Sequence, residues 1–343
     1  VSKIGVWNTA FLGDAVLTLP LLQTLRANFP QAEIHFFVRE GLQSLFQAQP
    51  ELSGVHGFDK NGGDRSFLAM HAYSRKLSRE GYSLWISPHR SLRSGLVARM
   101  TNARTRIGYS RPWFNHYLFT HTIDRAFGRF HEVDRLLRLV DPLKLTVLVD
   151  WPRLVLPERA RERADAFWAE HIRGPVLGLH PGSTWATKRW PAERFGEVAR
   201  KAVEAGAQVI LFGGPGEREL VRQVEKAIAD PLPPGVLNLA GMHDLSELAA
   251  WIGKLDAYLC NDSGPMHLAW IQRVPLVALF GPTVRRLGFF PRGEKATVIE
   301  RDLPCRPCGL HGPKACPNGS HRCMTEITVD EVYEAVSKKL GLA

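Results

Sequence analysis

The chain has 343 residues, of which 45% are hydrophobic and 23% charged, with 44 Lys and Arg against 34 Asp and Glu. That length favours two domains of roughly 100–200 residues each, and the composition excludes a disordered, collagenous or fibrous chain. The net charge of +10 excludes an acidic solvating protein and points to an anionic partner: nucleic acid, a phosphorylated metabolite or a membrane surface.

Residues 3–7, Lys-Ile-Gly-Val-Trp, read as a buried strand. No apolar run with a small-residue cleavage site opens the chain, because Asp14 interrupts the first one. After the loop holding Gly13 and Asp14, residues 15–29 carry apolar side chains at helical spacing up to Pro30. Residues 33–38 are the next strand. Strand, helix, strand in this order is a βαβ unit and implies a parallel sheet. Further strands are predicted at 55–58 and 84–87, with helices at 67–80 and 91–100. Pro152 and Pro157 break structure within 150–173, which reads as a linker.

The same grammar then restarts. A strand at 175–179 leads into a loop at 180–184, an amphipathic helix at 193–205 closed by Gly206, and a strand at 207–212. The first-to-second-strand spacing is 32 residues in one half (Ile4 to Phe36) and 34 in the other (Leu177 to Leu211). Strands at 236–239, 257–260 and 276–280 follow, then a helix at 329–340. The longest apolar stretches, such as 275–280, fall far short of the roughly 20 residues that span a bilayer. A cytoplasmic protein is expected, with cysteines reduced, metal-bound or inert. The organisation predicted is two doubly wound α/β domains, 1–155 and 156–325, then a C-terminal helix at 326–343. One large domain with regular βα alternation is the competing arrangement. Open α/β sheets bind ligands at the carboxyl ends of their strands, so two such domains facing each other would form a cleft lined by loops from both.

The familiar nucleotide-fold signatures are missing. Gly213-Gly-Pro-Gly216 lacks the third glycine of the dinucleotide fingerprint, and there is no P-loop, His-Glu-x-x-His or nucleophile elbow. Dehydrogenases, P-loop NTPases and α/β hydrolases are thereby disfavoured. The strand-end loop His180-Pro-Gly-Ser-Thr-Trp-Ala-Thr-Lys-Arg-Trp-Pro191 is more informative. It offers close backbone approach at glycine, the hydroxyls of Ser183 and Thr184, a helix N-terminus and the point charge of Lys188, a combination suited to a diphosphate. An ordinary surface loop is the plainer reading. Asn261-Asp-Ser-Gly-Pro-Met-His267 sets Asp262, Ser263 and Gly264 at another strand end, with His267 on the same helix face; alone it reads as an N-cap. Glu217, after the Gly213–Gly216 run, is suited to a ribose. Phe280-Gly-Pro-Thr283 is a fourth such loop. Asp14 is a lone carboxylate suited to a general base or to helix capping.

These pieces keep the order of a known pattern. Gly13-Asp14 with Leu19-Pro20, Pro181-Gly-Ser-Thr184 with Lys188-Arg-Trp-Pro191, the Asn261–His267 run and Phe280-Gly-Pro-Thr283 resemble glycosyltransferase family 9 over about residues 3–335. That family includes the ADP-heptose:lipopolysaccharide heptosyltransferases. The resemblance implies the GT-B fold of two Rossmann-like domains and catalysis that requires no cofactor. It implies that Asp14 deprotonates the acceptor hydroxyl in an inverting displacement, with ADP-heptose or a related nucleotide sugar on the second domain. Ser183, Thr184 and Lys188 would hold the diphosphate, Glu217 the ribose or base, and Asp262 sugar hydroxyls. Ser263, Gly264 and His267 would complete the phosphate side. The Lys188-Arg-Trp-Pro191 loop leans towards the second heptosyltransferase of the pathway. Val284 stands where many members carry a polar residue, so another nucleotide sugar with another glycan is the alternative. Chemistry concurs, since single displacement needs one base and preorganised donors for the leaving charge.

Four of the five cysteines, Cys305, Cys308, Cys316 and Cys323, form a C-x2-C-x7-C-x6-C pattern. The first pair suits a zinc knuckle and the second is spaced too widely for a standard ribbon. Structural zinc, reduced unliganded thiols and a disulfide all remain open. Between residues 81 and 123 there is no Asp or Glu, while Arg90, Arg93 and Arg99 lie there among aromatic residues. Arginine favours bidentate contacts to carboxylate or phosphate. These three are the expected contacts to an anionic, lipid-linked glycan acceptor, with peripheral attachment at the inner face of the inner membrane. No nucleic-acid-binding motif accompanies the charge. A basic nucleic-acid-binding protein with a zinc knuckle is therefore the remote alternative, and no nucleic-acid partner is expected.

Overall fold

The computed structural model describes residues 1–342 apart from Asn61, Asp64, Arg65, Leu148 and Asp150, and only the backbone of Phe67. Asp150, where the expected linker begins, lies outside the described residues. The chain divides into two compact units, Val1–Pro157 and Glu158–Ala343.

In the first unit, alternating apolar runs form β1 (Lys3–Asn8), β2 (Glu33–Arg39), β3 (Gly54–Phe58), β4 (Leu84–Ser87), β5 (Thr105–Tyr109) and β6 (His121–Ile123). All pairings are parallel and the order is β3-β2-β1-β4-β5-β6. Buried on both faces, β1 reads as a nearly continuous apolar run, as parallel strands do. Gly5 is required on β1 because a Cβ there would lie 2.2 Å from the Trp85 ring. Trp7, Phe37, Phe58, Tyr82 and Trp85 pack as one aromatic core beneath the sheet.

The second unit repeats the plan with β7 (Val176–His180), β8 (Gln208–Leu211), β9 (Val236–Asn238), β10 (Ala257–Asn261), β11 (Leu276–Phe280) and β12 (Ala296–Glu300). Its order is β12-β11-β10-β7-β8-β9, again parallel. Counted from its own first strand, this is the same 3-2-1-4-5-6 sequence as in the first unit. Each sheet therefore has a point where chain direction across the sheet reverses, β1 beside β4 and β7 beside β10, and such points bind ligands in open α/β sheets. The helix Val329–Leu340, capped by Thr328, buries Val332, Val336 and Leu340 in this second core.

Several elements differ from the sequence reading. The helix expected over 15–29 is two, Leu12–Leu17 and Leu19–Asn28, with Thr18 ending one and Pro20 in the first turn of the next. The expected linker contains a 14-residue helix, Glu158–His171, whose buried residues are only Ala160 and Ala164. So narrow an apolar stripe leaves little periodicity to detect. Strands β5, β6 and β12 are additional: β6 has three residues, and β12 is only half-buried at the sheet edge.

Candidate active site

In the first unit the reversal point is flanked by the turn after β1 and the turn after β4. Asp14 is the third residue of the helix Leu12–Leu17, and its Oδ2 accepts the Phe11 N–H at 3.3 Å. Asn8 at the end of β1 donates to the Asp14 carbonyl at 3.1 Å and to Thr18 Oγ1 at 2.8 Å, fixing that turn. Burial pushes the Asp14 carboxyl above its usual range, against the opposing pull of Arg125, the Phe11 N–H and Lys60. Lys60 is itself brought down to about 8, by burial first and then by Arg39 and Arg93.

Arg125 belongs to a buried ion network. Glu132 receives Arg125 at 2.5 Å and Arg135 at 2.7 Å. The guanidinium groups of Arg90, Arg125 and Arg135 lie 5.1, 4.4 and 4.6 Å from the Phe127 ring centre. Arg90, Tyr109, Arg111, Arg125, Phe127 and Arg129 line a cavity of about 470 Å³, with Asp124 as its one acid. Four guanidinium groups, one of them already paired with Glu132, stand against one carboxylate, a lining that suits an anion. Of the three expected acceptor residues, only Arg90 lines it. Arg93 influences Lys60, and Arg99, exposed, influences Arg106. Sequence reasoning missed Arg125 because the acid-free stretch ends at Asp124, one residue before it. Lys60 and Glu132 carry no motif, and only the fold makes them neighbours of Asp14.

In the second unit the loop after β7 and the loop after β10 meet. Asn261 holds them together, accepting the Trp190 N–H at 3.0 Å and donating to the Pro181 carbonyl at 2.8 Å. Lys188, on a single 3₁₀ turn (Ala186–Lys188), donates from Nζ to Asp262 Oδ2 at 2.6 Å. Thr283 Oγ1 donates to the same oxygen at 2.6 Å. Burial resists ionisation of Asp262, but Lys188 and Thr283 outweigh it and hold the carboxyl below its usual range. Ser263 Oγ and His267 Nδ1 are buried and have no hydrogen-bond partner among the described residues. Set beside Asp262 and Lys188 at one strand end, these two groups suit a polar ligand. Burial keeps His267 neutral, bringing it to about 4. Ser183 is buried and Thr184 exposed in the loop after β7. Gly264 opens the helix Gly264–Ile271.

Glu217 joins the same region from the loop after β8. Its Oε2 accepts the Gly214 N–H at 2.8 Å and lies 3.3 Å from His180 Nε2. Burial opposes its charge, yet His180, the Gly214 N–H and Arg189 prevail and hold it at about 2. Gly182 leaves room for this carboxylate, since a Cβ there would lie 2.1 Å from Glu217 Oε1 and displace it. The donor residues named from the sequence thus fall in the loops, 3₁₀ turns and helix start that follow β7, β8 and β10.

The cysteines do not assemble as a zinc set. Among the described residues no three His, Cys, Asp or Glu side chains come together in a metal-holding group. All five cysteines are free, with Cys323 buried and Cys305 exposed. Cys316 Sγ is engaged instead with Asn318 Oδ1 at 2.9 Å and the His321 N–H at 3.3 Å. The wide second spacing puts Cys323 in the helix Arg322–Thr325, where burial pushes its thiol up to about 11.

Two sheets of this strand order, each with ligand-type loops at its reversal point, are the architecture of a GT-B glycosyltransferase. Residues 70–315 match Glycosyltransferase family 9 (heptosyltransferase), and the chain belongs to that family. Lipooligosaccharide heptosyltransferase 2 of Campylobacter jejuni is 31% identical to it over 337 residues, covering 98% of each chain. The crystal structure of a family 9 glycosyl transferase from Veillonella parvula matches with a TM-score of 0.87 at 27% identity, over 100% of this chain and 98% of that one. The structure of E. coli ADP-heptose lps heptosyltransferase II shares the fold with a TM-score of 0.81 at 24% identity, over 99% and 98%.

Proposed function

We propose that this glycosyltransferase moves heptose from ADP-heptose to the inner core of lipopolysaccharide with inversion at the anomeric carbon. The relatives' names supply the substrates. The observation that carries the chemistry is the Lys188–Asp262–Thr283 cluster beside the unpartnered Ser263 and His267. In this reading residues 156–325 hold the donor. Lys188 offsets charge gathering on the departing ADP, with Ser183, Thr184, Ser263, Gly264 and His267 around the diphosphate. Glu217 takes the ribose and Asp262 keeps Lys188 in place beside the sugar. Residues 1–155 take the acceptor: its attacking hydroxyl gives its proton to Asp14, the oxygen bonds to the anomeric carbon, and the bond to ADP breaks. The Arg90, Arg111, Arg125 and Arg129 cavity receives an acidic group of the acceptor.

Peripheral membrane attachment belongs to the same proposal. Among the described residues no helix is long and apolar enough to cross a membrane. Trp113 and Tyr117 are each 74% exposed, with ring centres 6.1 Å apart, in the acid-free stretch that also exposes Arg99, Arg104 and Arg111. Exposed aromatics among cations suit an anionic lipid surface. Mass analysis of products from ADP-heptose and truncated acceptors tests the transfer, and competition among ADP, UDP and GDP tests the nucleotide. A product lacking the heptose increment, or preference for UDP or GDP, would overturn the donor assignment.

A further inference from the structure

The cysteine-rich segment supplies no residue to the proposed transfer chemistry, yet it touches the two pieces of chain that meet at Asp262. Residues 301–321 contain no helix or strand. Arg306 Nη2 donates to the Thr283 carbonyl at 2.5 Å, its Nε donates to the Gly281 carbonyl, and Nη2 also reaches Glu300 at 2.8 Å. The Cys308 N–H donates to the Pro282 carbonyl at 2.8 Å. Further along, Thr187 Oγ1 donates to the Pro313 carbonyl at 2.5 Å, and the His311 ring stacks over Trp185 at 6.4 Å and 9°. His321 Nε2 lies 2.8 Å from the Thr187 carbonyl. A carbonyl only accepts, so Nε2 carries the proton.

The segment thus holds the 281–283 loop at one place and the 185–188 turn at another. Thr283 and Lys188, carried on those two pieces, share one oxygen of Asp262. A single 3₁₀ turn is poorly stabilised by its own hydrogen bonds, so the position of Lys188 depends on what grips the turn from outside. His321 makes its contact from a left-handed backbone conformation, φ 49°, which side chains adopt only where the surroundings over-determine it.

We infer that residues 305–321 are a strap that positions the donor diphosphate site, and that His321 is the positioning residue for Lys188. The inference rests on the reading that Lys188 meets the donor diphosphate. Reciprocity follows, because a strap that favours ADP binding is itself tightened when ADP binds. Cys316, half-buried and joined through its sulfur to the His321 N–H, reports that tightening.

The test compares His321→Ala and His321→Gln in the full chain. With Ala, ADP affinity measured by calorimetry falls about fivefold, as the loss of one neutral hydrogen bond allows, and donor KM rises while acceptor KM holds. Glutamine, which offers an amide N–H at similar reach, restores affinity to within about twofold. ADP also slows iodoacetamide labelling of Cys316 in the wild type and not in His321→Ala. A folded His321→Ala protein with wild-type ADP affinity and wild-type ADP protection of Cys316 would overturn the strap. Should His321→Ala not fold, Thr187→Val, which deletes the bond to Pro313, carries the same measurements. Lys188→Ala run alongside separates the two readings: ADP affinity unchanged there sinks the donor assignment, whereas a silent His321→Ala beside a weakened Lys188→Ala sinks only the strap.

Discussion

At the scale of single residues, Asp14 and Lys188 divide the proposed chemistry. Asp14 acts as a base only when ionised, and its carboxyl is raised by burial. The acid limb of kcat/KM is therefore expected above the ordinary carboxylate range of about 4. Asp14→Asn should lower turnover by about 10²–10⁴-fold and leave ADP affinity within about twofold; lost ADP affinity with intact turnover would refute the base. Lys188 presents a different problem, because removing it damages structure as well as chemistry. Lys188→Ala leaves the buried Asp262 with only Thr283, a loss of about 3–5 kcal/mol for a broken buried pair. Adding Asp262→Asn removes the orphaned charge. The double variant should regain most of the lost urea midpoint and none of the lost ADP affinity. Recovered ADP binding would exclude a phosphate role for Lys188.

At the scale of elements, packing between helices sets what the second unit tolerates. The helices Ala192–Glu204 and Arg218–Ile228 approach closely at Gly196, where a Cβ would lie 2.4 Å from Ala227 Cβ and 2.7 Å from the Val224 carbonyl. Gly196→Ala should cost about 1–3 kcal/mol from overpacking, despite the better helix propensity of alanine; an unchanged denaturation midpoint would contradict the contact. Elements, and the loops here proposed to hold the donor, were largely legible in the sequence. Parallel strands buried on both faces are plain apolar runs, and the loops after β7 and β10 carry their ligand-type residues consecutively. The helix Glu158–His171 was not, because two buried alanines make almost no pattern. Nor was the Arg125–Glu132–Arg135 network, whose members gain meaning only once the fold sets them beside Asp14. The cysteine spacing left zinc, free thiols and a disulfide open, and in the folded segment the thiols are free while its polar groups meet loop carbonyls.

At the scale of the whole molecule, stability should follow acidity in a defined direction. Burial holds His89 at about 3 and His267 at about 4, both below their ordinary 6.5. Between pH 6.5 and those values the unfolded chain binds protons that the folded chain refuses, so stability falls as pH drops through that window. Glu217, held at about 2 against 4.5, adds a further loss below pH 4.5. Asp14 runs the opposite way, since its raised carboxyl is relieved by acid. Urea midpoints should decline steadily from pH 7 to pH 4, and His267→Gln should flatten the decline; a flat wild-type profile would exclude neutral buried histidines.

A chain with ten excess positive charges draws in anions of every kind. The Lys188–Asp262 pair means that this attraction does not end at the proposed donor site by default. Lys188 is already satisfied at 2.6 Å within the protein, so an incoming anion must loosen that bond or share it. Inorganic phosphate brings little else with which to compensate. In the proposed reading a nucleoside diphosphate brings a second phosphate and a ribose as well, for the Ser263–His267 run and Glu217 to meet. The resting pair therefore acts as a threshold, giving a strongly cationic protein a way to ignore the commonest anions around it while still admitting a large one.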